Sequence, residues 1–204
     1  MRSCEKHFID DIKQILSTRE REGIEEPPFP HAAVLVPLFE KNGDCHLLFT
    51  TRSDQVKHHK GEISFPGGVF DSEDGDLKTT ALREAFEEIG LKEKDVQILG
   101  MLDDIVTTSE FIVTPFVALI PYPYPFRVSS IEIAELIEVP LSSLRDPHCS
   151  GDREIVKDGL KRISFTYQYG THLIWGATAR ILKQFLELVS SPRSSSFLSN
   201  KRTG

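Results

Sequence analysis

Glu84, Glu87 and Glu88 stand three and four positions apart in the run ALREAFEEIGL. At about 100° per residue a helix gathers them into one narrow sector. Leu82, Ala85, Phe86 and Ile89 recur at helical spacing on the other side and are expected to face a core. On an ordinary surface, like charges one turn apart cost about 0.2–0.5 kcal/mol per pair, and Arg83 relieves part of that by reaching Glu87. Three carboxylates able to converge on one point suit a divalent cation. Hard oxygen donors favour magnesium or manganese over zinc. The bland alternative is a solvated acidic helix face.

Other segments must hold that helix and bring a partner to it. Pro66-Gly67-Gly68 supplies a backbone that can bend sharply and approach a ligand closely, and Gly90 is a good helix stop. Upstream, residues 52–60 (RSDQVKHHK) are polar and locally basic in an acidic chain. Arg52 and Lys57 would suit phosphate oxygens, with a solvated basic loop as the alternative. His58 and His59 are adjacent, so a regular segment would not aim both at one metal, and they read as surface residues.

Periodicity places the scaffold. Phe8, Ile9, Ile12, Ile15 and Leu16 predict an amphipathic helix over residues 5–21, ended by Gly23 and the prolines of residues 27–30. Residues 1–30 thus form a helix and stiff linker that packs on the domain; a homodimer contact is its other possible role. Residues 32–39 (AAVLVPLF) and 45–51 (CHLLFTT) read as strands joined by an Asn-Gly turn, with Pro37 demanding a bulge or an edge. Further strands are expected over residues 95–104, 112–120 and 165–169, a strand or short helix over 131–139, and a closing helix over 175–188. Residues 121–126 (PYPYPF) read as an extended loop whose aromatics pack on their own domain or stack on a base, and Trp175 as a core anchor. The reading is an α+β domain over residues 31–189, followed by a disordered tail over 190–204.

At 204 residues and 39% hydrophobic, the chain can bury a real core. A net charge of −7 argues against a nucleic-acid partner, whose phosphates need a basic face. No apolar run approaches the roughly 20 residues that span a bilayer, so no membrane partner is expected. Cys4, Cys45 and Cys149 have no paired spacing, which predicts reduced thiols and a cytoplasmic protein.

Residues 67–91 resemble the signature of the Nudix hydrolases, glycine, five residues, Glu, seven residues, then R-E-U-x-E-E-x-G-U with U aliphatic. Its second half is met by Arg83-Glu84-Ala85-Phe86-Glu87-Glu88-Ile89-Gly90-Leu91. The first half is one residue longer, and Asp74 stands where the early Glu would be. That longer box is similar to the coenzyme A pyrophosphatase branch, which also carries an upstream motif. Thr50-Thr51-Arg52-Ser53, Gly61 and Phe65-Pro66-Gly67-Gly68 match it in register. Lys57 replaces its second Arg, keeping the charge and losing the bidentate fork. Residues 113–117 (VTPFV) and 174–180 (IWGATAR) resemble the branch as well.

The resemblance implies an α/β/α sandwich around a mixed sheet and a magnesium- or manganese-dependent pyrophosphatase. Its small-molecule substrate would be coenzyme A or a thioester, cleaved to 3′,5′-ADP and 4′-phosphopantetheine or its acyl form. Another nucleoside diphosphate derivative, such as ADP-ribose, is the alternative substrate; a catalytically silent nucleotide-binding module is the alternative class. Glu84 and Glu88 are the first expected metal ligands, with the carbonyl of Gly68 completing the shell. Glu87 is expected to bind a second ion or take the water's proton, and Arg83 to hold the glutamates. Arg52, Lys57, Gly67 and Gly68 are assigned to substrate. Loop carboxylates act as base in some Nudix enzymes, which adds Glu110, Glu132 and Glu135 as candidates, each with a solvent-facing alternative.

Overall fold

The face predicted for Phe8, Ile9, Ile12 and Leu16 is buried in helix α1 (Lys6–Thr18), in a computed structural model that describes residues 6–55, 61–157 and 159–190. Strands β1 (His31–Lys41) and β2 (Asp44–Arg52) follow as a hairpin. Its Asn42-Gly43 turn has φ of 54° and 79°, a hand that matches strand twist. Next come β3 (Ile63–Ser64), β4 (Gly67–Val69) and helix α2 (Leu77–Ile89). β5 (Gln97–Met101), β6 (Ile105–Val106) and β7 (Ile112–Leu119) lead to β8 (Ile133–Pro140) and the short helix α3 (Leu141–Leu144). The hairpin β9 (Ser150–Lys157) and β10 (Leu160–Tyr169), then β11 (His172–Ile174) and α4 (Gly176–Ser190), complete the described chain.

Eight strands make one mixed sheet along the path β3-β2-β1-β7-β5, with β4 on β1, β6 on β7 and β8 on β2. Among the described residues only β1 and β7 run parallel within it. β11-β10-β9 form a second sheet. Side chains of β1 alternate between two cores, as strand geometry demands. Ala33, Leu35 and Phe39 pack with Ala81, Leu82, Ala85 and Ile89 of α2. Ala32, Val36 and Leu38 join the opposite core, with Ile12 of α1 and Leu182 and Phe185 of α4. Each large side chain buried this way contributes roughly 1.5–3 kcal/mol, so the sheet is held from both sides and α2 cannot drift from β1.

Some expectations need correction. Pro37 lies in the central strand rather than at an edge or bulge, opposite Ala118 of β7. On its other side β1 pairs with β4 at Ala32–Val34 and with β2 only from Leu38 onward. The missing N–H falls in that gap. Phe86 is 54% exposed instead of facing the core. β9 was not foreseen, and β10 starts five residues before the expected strand, at Leu160; the run GDREIVKDGLKR is too polar to announce a strand. Cys45 is disulfide-bonded, which corrects the reading of three reduced thiols, while Cys149 is free. No helix among the described residues is long and apolar enough to cross a membrane. Lys57, His58, His59 and the tail beyond residue 190 lie outside the described residues.

Candidate active site

The glycine bend is tight because three elements meet there. β4 pairs antiparallel with β1, placing Gly67 opposite Val34 and Gly68 opposite Ala33. A Cβ on Gly67 would lie 2.3 Å from the Ala33 carbonyl oxygen and 2.6 Å from the Val34 Cα. A Cβ on Gly68 would lie 2.3 Å from the Glu84 carboxylate. Phe65 anchors the approach by stacking on Phe49 with ring centres 4.6 Å apart. α2 is started by Asp76, whose carboxylate accepts the Thr79 N–H at 2.7 Å, and stopped by Gly90 in the left-handed region.

The carboxylates of α2 divide between two environments. Glu88 is buried at 2% exposure. It accepts the Gly67 N–H at 3.3 Å, and Arg52 Nη1 stands 3.7 Å from its other oxygen. Burial pushes its carboxyl up to about 8, with the Glu84 and Glu132 charges adding to the effect and Arg52 and the Gly67 N–H opposing it. Glu84 is raised too, chiefly by burial, against the Arg83 Nη1 that donates to it at 2.8 Å. Glu87 sits at the rim with its side chain 52% exposed, accepting from Arg83 Nη1 at 3.2 Å.

Arg83 is the brace of this arrangement. Its Nε and Nη2 donate to the two oxygens of Asp74 at 2.7 and 3.0 Å, a bidentate pair. Thr80 Oγ1 donates to the same Asp74 carboxylate at 2.8 Å. The Arg83 guanidinium holds Asp74 well below the usual carboxylate range. The departure from the family signature at Asp74 therefore has a structural role.

Glu132 is the residue whose position the local pattern could not reveal. The loop before β8 is clamped onto the end of α2 by the Arg127 N–H to the Ile89 carbonyl at 2.9 Å and the Ser129 N–H to the Glu88 carbonyl at 2.8 Å. The Ser53 N–H donates to the Glu132 carbonyl at 2.8 Å, tying in the end of β2. Glu132 comes close enough for its charge to raise both Glu84 and Glu88. Glu135 is exposed on β8, and Glu110 is exposed in a turn at φ 62°.

Among the described residues, no three or more His, Cys, Asp or Glu side chains are drawn together as a ready-made metal cluster. Glu84, Glu87 and Glu88 share a helix side without converging. The donor chemistry nonetheless fits a hard divalent cation. Glu84 and Glu88 are desolvated carboxylates that repel one another and Glu132, a strain that a cation between them relieves.

Above the bend opens a cleft of about 600 Å³ lined by Arg52, Phe65, Gly67, Gly68 and Trp175, among others, a size suited to a mid-sized organic ligand. Two of the sequence segments singled out above, one ending β2 and one forming β4, thus border a single space. Trp175 lines that space at the start of α4. Tyr122 and Tyr124 pack on their own domain, the first stacked on Phe39 and the second bonded to Asp95.

The fold is a mixed sheet between helices, with a carboxylate-bearing helix beneath a glycine bend. The family model described as NUDIX domain matches residues 29–158. An "Uncharacterized Nudix hydrolase NudL" of Photorhabdus laumondii is 38% identical over 159 residues, covering 78% of this chain and 84% of that protein. One of the same description from Yersinia pestis is 36% identical, covering 78% and 79%. The crystal structure of a MutT/nudix family protein from Enterococcus faecalis shares the fold at a TM-score of 0.55 and 14% identity, over 85% of this chain and 66% of that one. The chain belongs to the Nudix hydrolase family.

Proposed function

We propose that this Nudix protein is a magnesium- or manganese-dependent pyrophosphatase that hydrolyses the diphosphate of coenzyme A or its thioesters. The observation that carries this reading is the meeting of Arg52 with Glu88 at 3.7 Å beside the Gly67-Gly68 bend. It joins the upstream motif to the carboxylate helix, behind the Arg52, Gly67 and Gly68 that line one cleft.

Glu84 and Glu88, with the Gly68 carbonyl, would hold the cation. When bound it would neutralise the non-bridging oxygens of the diphosphate and lower the pKa of a water. Arg52 binds and orients a phosphate beside the bend, and Lys57 adds a second positive charge. Gly67 and Gly68 let the backbone approach without a Cβ in the way. Arg83, braced by Asp74, keeps Glu84 and Glu87 in place. Glu87, at the exposed rim, or Glu132, near Glu84 and Glu88, takes the proton of the attacking water. That water adds to one phosphorus, the bridging P–O bond breaks, and 3′,5′-ADP leaves with 4′-phosphopantetheine or its acyl form.

The test is turnover of coenzyme A, ADP-ribose and a dinucleoside polyphosphate at matched concentration, with and without magnesium or manganese. The expected result is metal-dependent release of 3′,5′-ADP from coenzyme A at the highest kcat/KM of the panel. A higher kcat/KM for ADP-ribose would overturn the substrate, and absence of turnover across the panel would leave a nucleotide-binding module.

A further inference from the structure

We propose that Arg162 of β10 and Arg180 of α4 form a second anion subsite in the cleft, which takes a phosphate monoester carried by the substrate apart from its diphosphate. This rests on the reading of the Gly68 end as the diphosphate site. Among the described residues, the lining of the cleft includes the three cations Arg52, Arg162 and Arg180 against the single acid Glu62, in a chain of net charge −7. Local charge is therefore inverted where a ligand would lie, and that pattern selects an anion. Arg52 is committed to the bend by its contact with Glu88. The other two cations come from elements with no part in that bend.

Each is placed by its backbone. In the β9–β10 ladder Arg162 pairs with Ile155, and side chains alternate, so Ile155, Leu160, Arg162 and Ser164 share one face. All four line the cleft, and Ile163 of the other face borders it too. Lys161 points the other way, to Glu154 at 2.9 Å. Among the described residues the Arg162 side chain has no hydrogen-bond or ion-pair partner. Arg180 is held by one donor, with Nη1 bonded to the Val106 carbonyl at 2.6 Å. That bond fixes the guanidinium beside the turn Thr107-Thr108-Ser109, which also lines the cleft, and leaves its other donors for a ligand.

Phe111, Trp175, Ile155 and Val34 supply apolar walls to the same space, and the exposed guanidinium groups of Arg162 and Arg180 can each offer a phosphate two parallel N–H···O bonds. A ligand matching this lining has a diphosphate, a body able to rest on apolar and aromatic surface, and a separate monoester. Coenzyme A has that form through its 3′-phosphate; ADP-ribose does not.

The experiment compares kcat/KM for coenzyme A and for 3′-dephospho-coenzyme A in the wild-type chain, Arg162→Gln, Arg180→Gln and the double variant, with Lys161→Gln as the fold control. The wild type and Lys161→Gln are expected to prefer coenzyme A by roughly 10- to 100-fold, the range of a charge-assisted pair, and the double variant to lose at least about tenfold of that preference. Equal wild-type rates on both compounds, or a double variant whose preference persists, would overturn the subsite. If neither compound is turned over while another diphosphate is, the substrate reading fails by itself. Calorimetry with 3′,5′-ADP against 5′-AMP then reads the subsite: a wild-type preference lost in the double variant sustains it, and equal binding of the two nucleotides overturns it.

Discussion

The Gly68 Cα faces the Glu84 carboxylate so closely that a β-carbon there would stand 2.3 Å from it. The neighbour that must yield is the end of a flexible side chain, whereas at Gly67 it is the backbone of Ala33 and Val34. Gly68→Ala is therefore expected to fold with a melting temperature within a few degrees of wild type, while the displaced carboxylate lowers kcat about 10²-fold, the scale of a misplaced catalytic group. Gly67→Ala is expected to destabilise by about 1–3 kcal/mol as an overpacked site. Thermal melts and steady-state kinetics on both variants check the contrast. A Gly68→Ala enzyme of full activity would show that Glu84 does not need its position.

Glu88 is a buried carboxylate whose near partners are one N–H and an arginine at 3.7 Å. An amide of the same shape stands in for the neutral acid that burial favours and leaves no hole, so Glu88→Gln should match or exceed wild-type stability in the absence of metal. Its activity should fall about 10²–10³-fold. A cation at one hundred times its Kd stabilises the native state by about 2.7 kcal/mol. That magnesium-dependent rise in unfolding free energy should be absent from the variant. Urea titrations with magnesium or with EDTA measure it.

Asp74 is held well below the usual carboxylate range, first by the Arg83 hydrogen bonds. A depressed folded pKa means that its charged form stabilises the fold above the unfolded value of about 3.9, and that this stability fades as pH drops toward the folded value. Asp74→Asn should lose about 1–2 kcal/mol at pH 7, the worth of charge-assisted bonds, and the gap to wild type should narrow below about pH 4. Chemical denaturation at several pH values tests the sign. A gap that widens on acidification contradicts the role given to Arg83.

Arg21 fastens the segment after α1 to the sheet. Its guanidinium pairs with Asp104, a side chain 5% exposed, and its Nε donates to the Leu102 carbonyl at 3.2 Å. Asp104 also accepts the Ile24 N–H at 3.0 Å and the Thr114 hydroxyl at 2.6 Å. Arg21→Ala strips the cation from a nearly buried carboxylate and should destabilise by about 1–3 kcal/mol. Asp104→Asn in the same background should recover part of the loss, a coupling that a double-mutant cycle measures.

The local chemistry of the site was legible because it is written in short periods. The spacing of Glu84, Glu87 and Glu88, the glycine pair and the Gly90 stop of α2 depend on residues within one or two turns of one another. The same periodicity failed at Phe86, because ring exposure depends on which neighbours arrive to cover that part of the helix. It failed for β9 as well, where a polar strand is stabilised by its ladder to β10 rather than by an apolar pattern.

The sequence by itself determined the helix carrying the carboxylates, the bend ahead of it, the strands of the hairpin and the family signature. All of these are encoded by neighbours along the chain. Only the tertiary structure decided that Glu88 is buried while Glu87 stays at the rim, that Asp74 braces Arg83, and that Glu132 is brought near Glu84 and Glu88 by a loop clamped onto α2. Burial and charge coupling are properties of which surfaces meet, and these surfaces come from segments distant in the chain. The placement of Arg162 and Arg180 on one cleft with Arg52 has the same origin: three separate elements close around a space that none of them defines alone.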